Sequence, residues 1–250
     1  MKVIIINGNP KVDINTATAL KYKIIALLSV MMTTFIHISA TEVARTEHLT
    51  YYYPQFSSID LSLERMPQTS SNEVDFCCEA AFTGQRLKTF SHNNVADDHV
   101  SGGKWYKGYS CRANTGAFVW YGDKWAFMKK TDFLSQKPAC RMAFCQRLLI
   151  LQGRQCQMWE SMRKNRTRYR VLCEKDGRLC LAESNKVVTL EFFIQCLMSD
   201  HVSNAIYLDM GAGWNYAWYR DKQGNTQEVF PESKKAPDFQ YRTNWLTFIR

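Results

Sequence analysis

The sequence predicts an α+β fold, a strand-rich single domain with mixed sheets and few helices. Three observations predict it. Short apolar or alternating segments, spaced by turn residues, recur along the chain. One segment carries convincing helical periodicity. No internal repeat, low-complexity linker or break in composition interrupts the stretch from Thr41 to Arg250. With 250 residues and 46% apolar side chains, the chain is long enough to bury a sizeable core.

Residues 1–40 are read apart from the domain at 41–250. Lys21 and Lys23 precede the apolar run from Ile24 to Ile36, which closes on Ile38-Ser39-Ala40. A positive end, a short apolar middle and a small-residue cleavage site are the order of an export signal, here with a long n-region. Ser29, Thr33, Thr34 and His37 dilute a run already short against the roughly 20 residues of a bilayer span. The expectation is cleavage near Ala40 and a mature chain without a stable membrane span. Its place would be extracytoplasmic: periplasmic, cell-surface or secreted. The opening "MKVIIINGNPK" is not followed by an amphipathic crossover helix, which argues against a nucleotide-binding unit there.

The whole chain has 32 basic and 23 acidic residues. Four Lys and one Asp lie in residues 1–40, which leaves 28 against 22 in the mature part. That moderate excess suits an anionic ligand and falls short of a nucleic-acid footprint. All nine cysteines follow Ala40, none in a CxxC spacing, so neither a zinc site nor any cofactor is expected.

The elements follow in order. "EVDFCCEAAF" (Glu73 to Phe82) and "RLLILQG" (Arg147 to Gly153) read as strands, and "GAFVWYGDKWAFM" (Gly116 to Met128) as two strands joined at Tyr121-Gly122-Asp123-Lys124. Lys175-Asp176-Gly177-Arg178 carries the Asp-Gly pair that a type I′ hairpin loop prefers. Counting outward from a two-residue loop puts Cys173 opposite Cys180, within reach of a cross-strand disulfide. In "TLEFFIQCLMSD" (Thr189 to Asp200), Leu190, Phe193, Ile194 and Leu197 fall at i, i+3, i+4 and i+7. Thr189 is placed to cap that helix and Glu191 suits its positive end. The strand "NAIYLD" then runs to Asp209, and "TNWLTFI" (Thr243 to Ile249) comes last.

Three constellations carry candidate chemistry. Asp209 ends a strand ahead of Gly211 and Gly213, where glycines let a ligand approach the backbone. In "RKNRTRYRVL", period 2 puts Arg166, Arg168 and Arg170 on one face, a surface suited to phosphate or a charged edge strand. In "FSHNNVADDHVSGGKWYKGY", His92, Asp97, Asp98 and His99 supply groups for proton transfer, among aromatics that fit a sugar platform or a core equally well.

The run from Asn165 to Gly213 resembles the phosphodiester glycosidase family, the domain of the enzyme that uncovers mannose phosphodiesters by removing N-acetylglucosamine, and of its bacterial exported relatives. The family's Arg-Thr strand, hairpin, helix and Asn-Ala-x-x-Leu-Asp strand are similar to Arg166-Thr167, the Asp176-Gly177 hairpin, Thr189 to Asp200, and Asn204-Ala205 with Leu208-Asp209. Upstream, Ala80 to Gly84, Asn114 to Trp120 and Phe144 to Gly153 are similar to its Asn-Gly-Gly-Phe, Asn-Gly-x-Phe and Gln-Ser-Gly segments. The sequence departs from that pattern in three places. Met210-Gly211-Ala212-Gly213-Trp214 replaces an Asp-Gly turn with a Ser, Glu79-Ala80-Ala81 stands where Asn-Gly-Gly would, and Arg147-Leu148 stands for Ser-Gly.

The resemblance implies an exported hydrolase acting on a sugar 1-phosphodiester or a related glycosidic bond. Asp209 would be base or nucleophile, Glu79 the second acid, with Asp97 or Asp98 behind it, and Arg166 the phosphate ligand. Arg168, Thr167, Asn114, Gln146, Gly211, Gly213, Trp214, His92 and His99 are the expected substrate contacts. The alternative is a non-catalytic glycan-binding or surface interaction module on the same fold, for which Trp214, Trp218 and Tyr219 speak.

Overall fold

Apolar runs bounded by turn residues become strands covered on both faces. The computed structural model describes residues 40–85, 88–158, 160–211, 215–235 and 242–250. The export-signal segment, Gly213 and Trp214 lie outside the described residues.

The chain opens with β1 (Glu42–Arg45), β2 (Leu49–Tyr53), β3 (Ser58–Glu64) and β4 (Val74–Glu79). Next come β5 (His99–Ser101), β6 (Lys104–Tyr106), β7 (Gly116–Trp120), β8 (Trp125–Lys129) and helix α1 (Lys130–Gln136). Strands β9 (Met142–Gln146), β10 (Leu148–Leu151) and β11 (Arg154–Gln155) lead to a single helical turn, α2 (Glu160–Arg163). Then follow β12 (Arg166–Thr167), β13 (Arg170–Lys175), β14 (Arg178–Ser184), β15 (Val188–Thr189) and helix α3 (Leu190–Ser199). The remainder is β16 (Val202–Tyr207), β17 (Ala217–Arg220), β18 (Thr226–Val229) and β19 (Thr243–Ile249).

These strands form a seven-stranded sheet, β1-β2-β14-β13-β16-β10-β11, two five-stranded sheets, β18-β17-β4-β19-β3 and β6-β5-β9-β7-β8, and a short β12-β15 ladder. The expected α+β, strand-rich class holds. Among the described residues the ladders run antiparallel, and the expected mixing of directions is confined to one parallel bridge between Ala96 and Tyr109.

One large core joins the three sheets, with Leu172, Leu181 and Ile206 of the first, Phe76, Leu246 and Phe248 of the second, and Phe118 and Phe144 of the third. The first and third sheets approach so closely at Gly116 that a Cβ there would stand 2.7 Å from the Leu148 Cβ. On the outer face of the seven-stranded sheet, α3 buries Leu190, Phe193, Ile194 and Leu197 against Val171, Cys173, Cys180 and Ala205. The helical period therefore does what it predicts, and Thr189 Oγ1 caps the helix by accepting from the Phe192 amide at 3.2 Å.

The β13-β14 hairpin has the expected register. Asp176 (φ 53°) and Gly177 (φ 70°) take the two left-handed positions of a type I′ turn, with Lys175 opposite Arg178 and Cys173 opposite Cys180. The two sulfurs lie 3.4 Å apart as free thiols, without the bridge.

Two expectations change. The arginine segment is not one strand: β12 ends at Thr167 and β13 starts at Arg170, so the three arginines take separate environments. Of the aromatics that follow the glycine turn, Tyr216, Trp218 and Tyr219 form core rather than a ligand platform. Tyr216 and Trp218 are fully buried with Trp245 and Val74 behind β17, and Tyr219 stacks on Phe76. Among the described residues no helix is long and apolar enough to cross a membrane.

Candidate active site

β16 delivers Asp209 to the junction of two sheets. Beyond Tyr207 the Leu208 amide donates to the Arg170 carbonyl at 3.0 Å, and the Asp209 amide donates to the Ala80 carbonyl at 3.1 Å. The chain is thereby pinned between the end of β4 and the start of β13. Asp209 Oδ1 accepts from the Gly211 amide at 2.9 Å, a side-chain turn that sharpens the bend. Only 8% of Asp209 is exposed. Burial pushes its carboxyl up to about 6, while amide donors from Gly211, Thr83 and Met210 pull the other way. At neutral pH the group is ionised, close to the point of taking up a proton.

Asp209 and Gly211 line a cleft of about 610 Å³ together with Arg166, Thr167, Arg147 and Tyr207. Arg166 is exposed and makes no ion pair among the described residues; its backbone is held by pairing with Thr189 across the β12-β15 ladder. Arg147 is half-buried, its Nε 3.4 Å from the Ala113 carbonyl, and burial lowers its pKa. Among the described residues, one carboxylate and two guanidinium groups without carboxylate partners thus face the same space.

The remaining expected residues do not all reach it. Glu79, placed by the sequence as the second acid at the substrate, is fully buried and absent from the cleft wall. It accepts from Thr243 Oγ1 at 3.0 Å and Thr83 Oγ1 at 3.4 Å, and its Oε2 has no partner among the described residues. Burial first, and the charge of Asp209 second, hold its pKa well above the carboxylate range. It is a neutral acid behind the Asp209 turn.

Arg168 is spent elsewhere as well. Its Nη1 donates to the Asn185 carbonyl at 3.0 Å and its guanidinium lies 4.9 Å from the Phe230 ring centroid. Arg170 is fully buried, donating to Glu183 Oε2 through Nε at 2.9 Å and Nη2 at 2.7 Å.

Asn114 and Gln146, expected as substrate contacts, are buried and absent from the cleft wall. The Asn114 amide nitrogen donates to Asp97 Oδ2 at 2.9 Å and to the Cys145 carbonyl at 3.2 Å. Gln146 Oε1 accepts from the Arg147 amide at 2.9 Å, which helps to set where Arg147 leaves the sheet. Asp97 is buried and engaged by Lys130 at 3.3 Å, an anchor for its loop.

His92 and His99 sit in a separate stack, His92 Nδ1 3.2 Å from His99 Nε2 and the His92 ring 3.6 Å from that of Tyr106. Burial lowers the pKa of His99 to about 4 and that of His92 as well, so both rings are neutral at physiological pH. Neither lines the cleft.

Sequence reasoning missed Tyr207 and Arg147 as cleft residues. For Arg147 a signal existed, because Arg147-Leu148 is one of the places where the sequence departs from the pattern it resembles. A second chamber, about 500 Å³, adjoins the cleft; Arg147 and Met162 line both spaces. Among the described residues no group of three or more His, Cys, Asp or Glu side chains is assembled as for a metal ion.

No family model matches the chain, and no curated protein does. The fold is similar to that of a solved structure described as the crystal structure of a hypothetical protein from Synechocystis. The TM-score is 0.55 at 12% identity, and the match covers 84% of this chain and 61% of that one. The chain thus spans about three fifths of the length of that neighbour, and at this identity the likeness concerns the fold alone.

Proposed function

We propose that this protein hydrolyses a sugar 1-phosphodiester or a related glycosidic bond, outside the cytoplasm. The observation that carries the reading is the meeting of ionised Asp209 with Arg166 and Arg147 in one cleft. The guanidinium groups bind the diester phosphate by charge-assisted hydrogen bonds. Asp209 takes a proton from water as the water oxygen bonds to the anomeric carbon; alternatively its carboxylate attacks that carbon first, and water then breaks the glycosyl ester, freeing the sugar and the carboxylate. The C1–O bond breaks, and its electron pair leaves on the phosphate oxygen. A phosphate monoester is already a stable anion, so it needs little protonation, and the arginines stabilise the charge as it grows. Neutral Glu79 is buried away from the cleft wall and does not touch substrate.

The test is release of free sugar from an N-acetylglucosamine 1-phosphodiester by wild type and Asp209→Asn, beside thermal melts of both. The expected result is turnover by the wild type and a loss of at least about a hundredfold in the variant, which keeps its volume and its fold but has no carboxylate to act as base or nucleophile. If the wild type releases nothing from a panel of such diesters yet binds glycans, and the variant binds equally, the protein is a glycan-binding module instead.

A further inference from the structure

The second chamber has a composition unlike that of the cleft. Among the described residues its charged groups are all cations, Arg112, Lys129 and Arg147, and no acidic residue lines it. Arg112 and Lys129 are exposed and make no ion pair among the described residues. Much of the remaining wall is apolar, with Leu148, Leu151, Met158 and Met162. Uncompensated cations beside an apolar wall fit a ligand with a short hydrocarbon stem ending in an anion, because each part gains only when both are present. Arg147 belongs to both spaces, so a diester phosphate held by Arg147 and Arg166 has its alcohol side next to this chamber.

We infer that the chamber receives the leaving-group alcohol, and that this alcohol carries a second phosphate on an apolar stem. The assignment of a leaving group rests on the hydrolase reading; the affinity of the chamber for an alkyl phosphate does not. The substrate class is therefore a sugar joined through phosphate to a phosphorylated aliphatic alcohol. With Arg147 on the diester phosphate, Arg112 and Lys129 remain for the terminal group, and two cations favour a dianionic phosphate over a carboxylate there.

Calorimetric titration with hexyl phosphate, hexanol, hexanoate and inorganic phosphate tests it on the full protein. Hexyl phosphate should bind at least tenfold tighter than the other three. The double variant Arg112→Gln/Lys129→Gln, both exposed positions that leave the fold intact in thermal melts, should lose at least tenfold of that affinity, whereas Arg166→Gln should change it less than threefold. Equal binding of hexyl phosphate and hexanol overturns the inference. So does weakening by Arg166→Gln without weakening by the double variant, since the anion would then sit in the cleft. In turnover, the double variant should raise KM for a diester with a phosphorylated alcohol and leave a neutral-alcohol diester unchanged; a parallel rise for both overturns the leaving-group role. Absence of turnover on every diester removes the hydrolase reading, and the titration still decides the chamber.

Discussion

Asp209 holds its charge at a cost, and that cost has a sign that can be measured. An ordinary aspartate titrates near 3.8, this one near 6. Between those values the folded protein keeps a proton that the unfolded chain has released. Stability therefore falls as pH rises through that window and levels off above it, by about 3 kcal/mol in all. Asp209→Asn, whose oxygen can still accept from Gly211, should melt no lower than wild type at pH 7.5, and the two should converge near pH 4; a lower melting temperature at pH 7.5 would show that the carboxylate holds the turn together. Activity should follow the opposite course, with kcat/KM rising with pH through an apparent value near 6 as Asp209 ionises. The arginines separate in the same way. Arg170→Met leaves Glu183 buried without its partner and should cost about 3–5 kcal/mol in denaturant unfolding, whereas Arg166→Gln should shift stability by less than about 0.5 kcal/mol and still impair turnover. From sequence, Asp209 was legible because a strand end before glycine needs only local chemistry to recognise. The burial of Glu79 was not, since Thr243, which holds it, lies 164 residues away. Alternation likewise could not reveal that Arg170 faces Glu183 while Arg168 stacks on Phe230.

The elements that were readable are those whose signals are local. Helix α3 has its apolar stripe and its cap within one segment, and the β13-β14 hairpin has its turn chemistry in two residues. Thr189→Ala should lower stability by about 1 kcal/mol through the lost cap. Gly177→Ala forces a side chain into a left-handed position at φ 70° and should cost about 1 kcal/mol, read as a shift in denaturant midpoint without change of slope. The order of strands in the three sheets was not legible, because β4 pairs with β17 and β19 across most of the domain and nothing near β4 announces those partners. The fate of Trp218 follows from that pairing: β17 joins β4, and its aromatic side chains are sealed between layers instead of facing a ligand.

At the scale of the folded unit, three sheets share one core, and the candidate site lies where their ends meet. If residues 1–40 are an export signal, N-terminal sequencing of exported protein should begin close to Thr41; a mature chain that keeps Met1 would remove both the signal and the extracytoplasmic placement. Near the site the architecture is uneven. Most strands belong to sheets of five or seven, but Arg166 stands on a ladder of two residue pairs, and its partner in that ladder is Thr189, the residue that caps α3. The Leu190 amide also donates to the Asn165 carbonyl at 3.2 Å, so the first turn of the helix and the arginine strand are stitched together at one point. Heat acts on such a seam before it acts on a sheet. Fraying of that turn would release Arg166 while the core stays closed, so warming should raise KM several degrees below the calorimetric transition, and the amides of residues 165–167 and 190–192 should exchange with deuterium earlier than those of β13. The reversible loss of activity on mild heating would then be a melting of one stitch in an otherwise native protein.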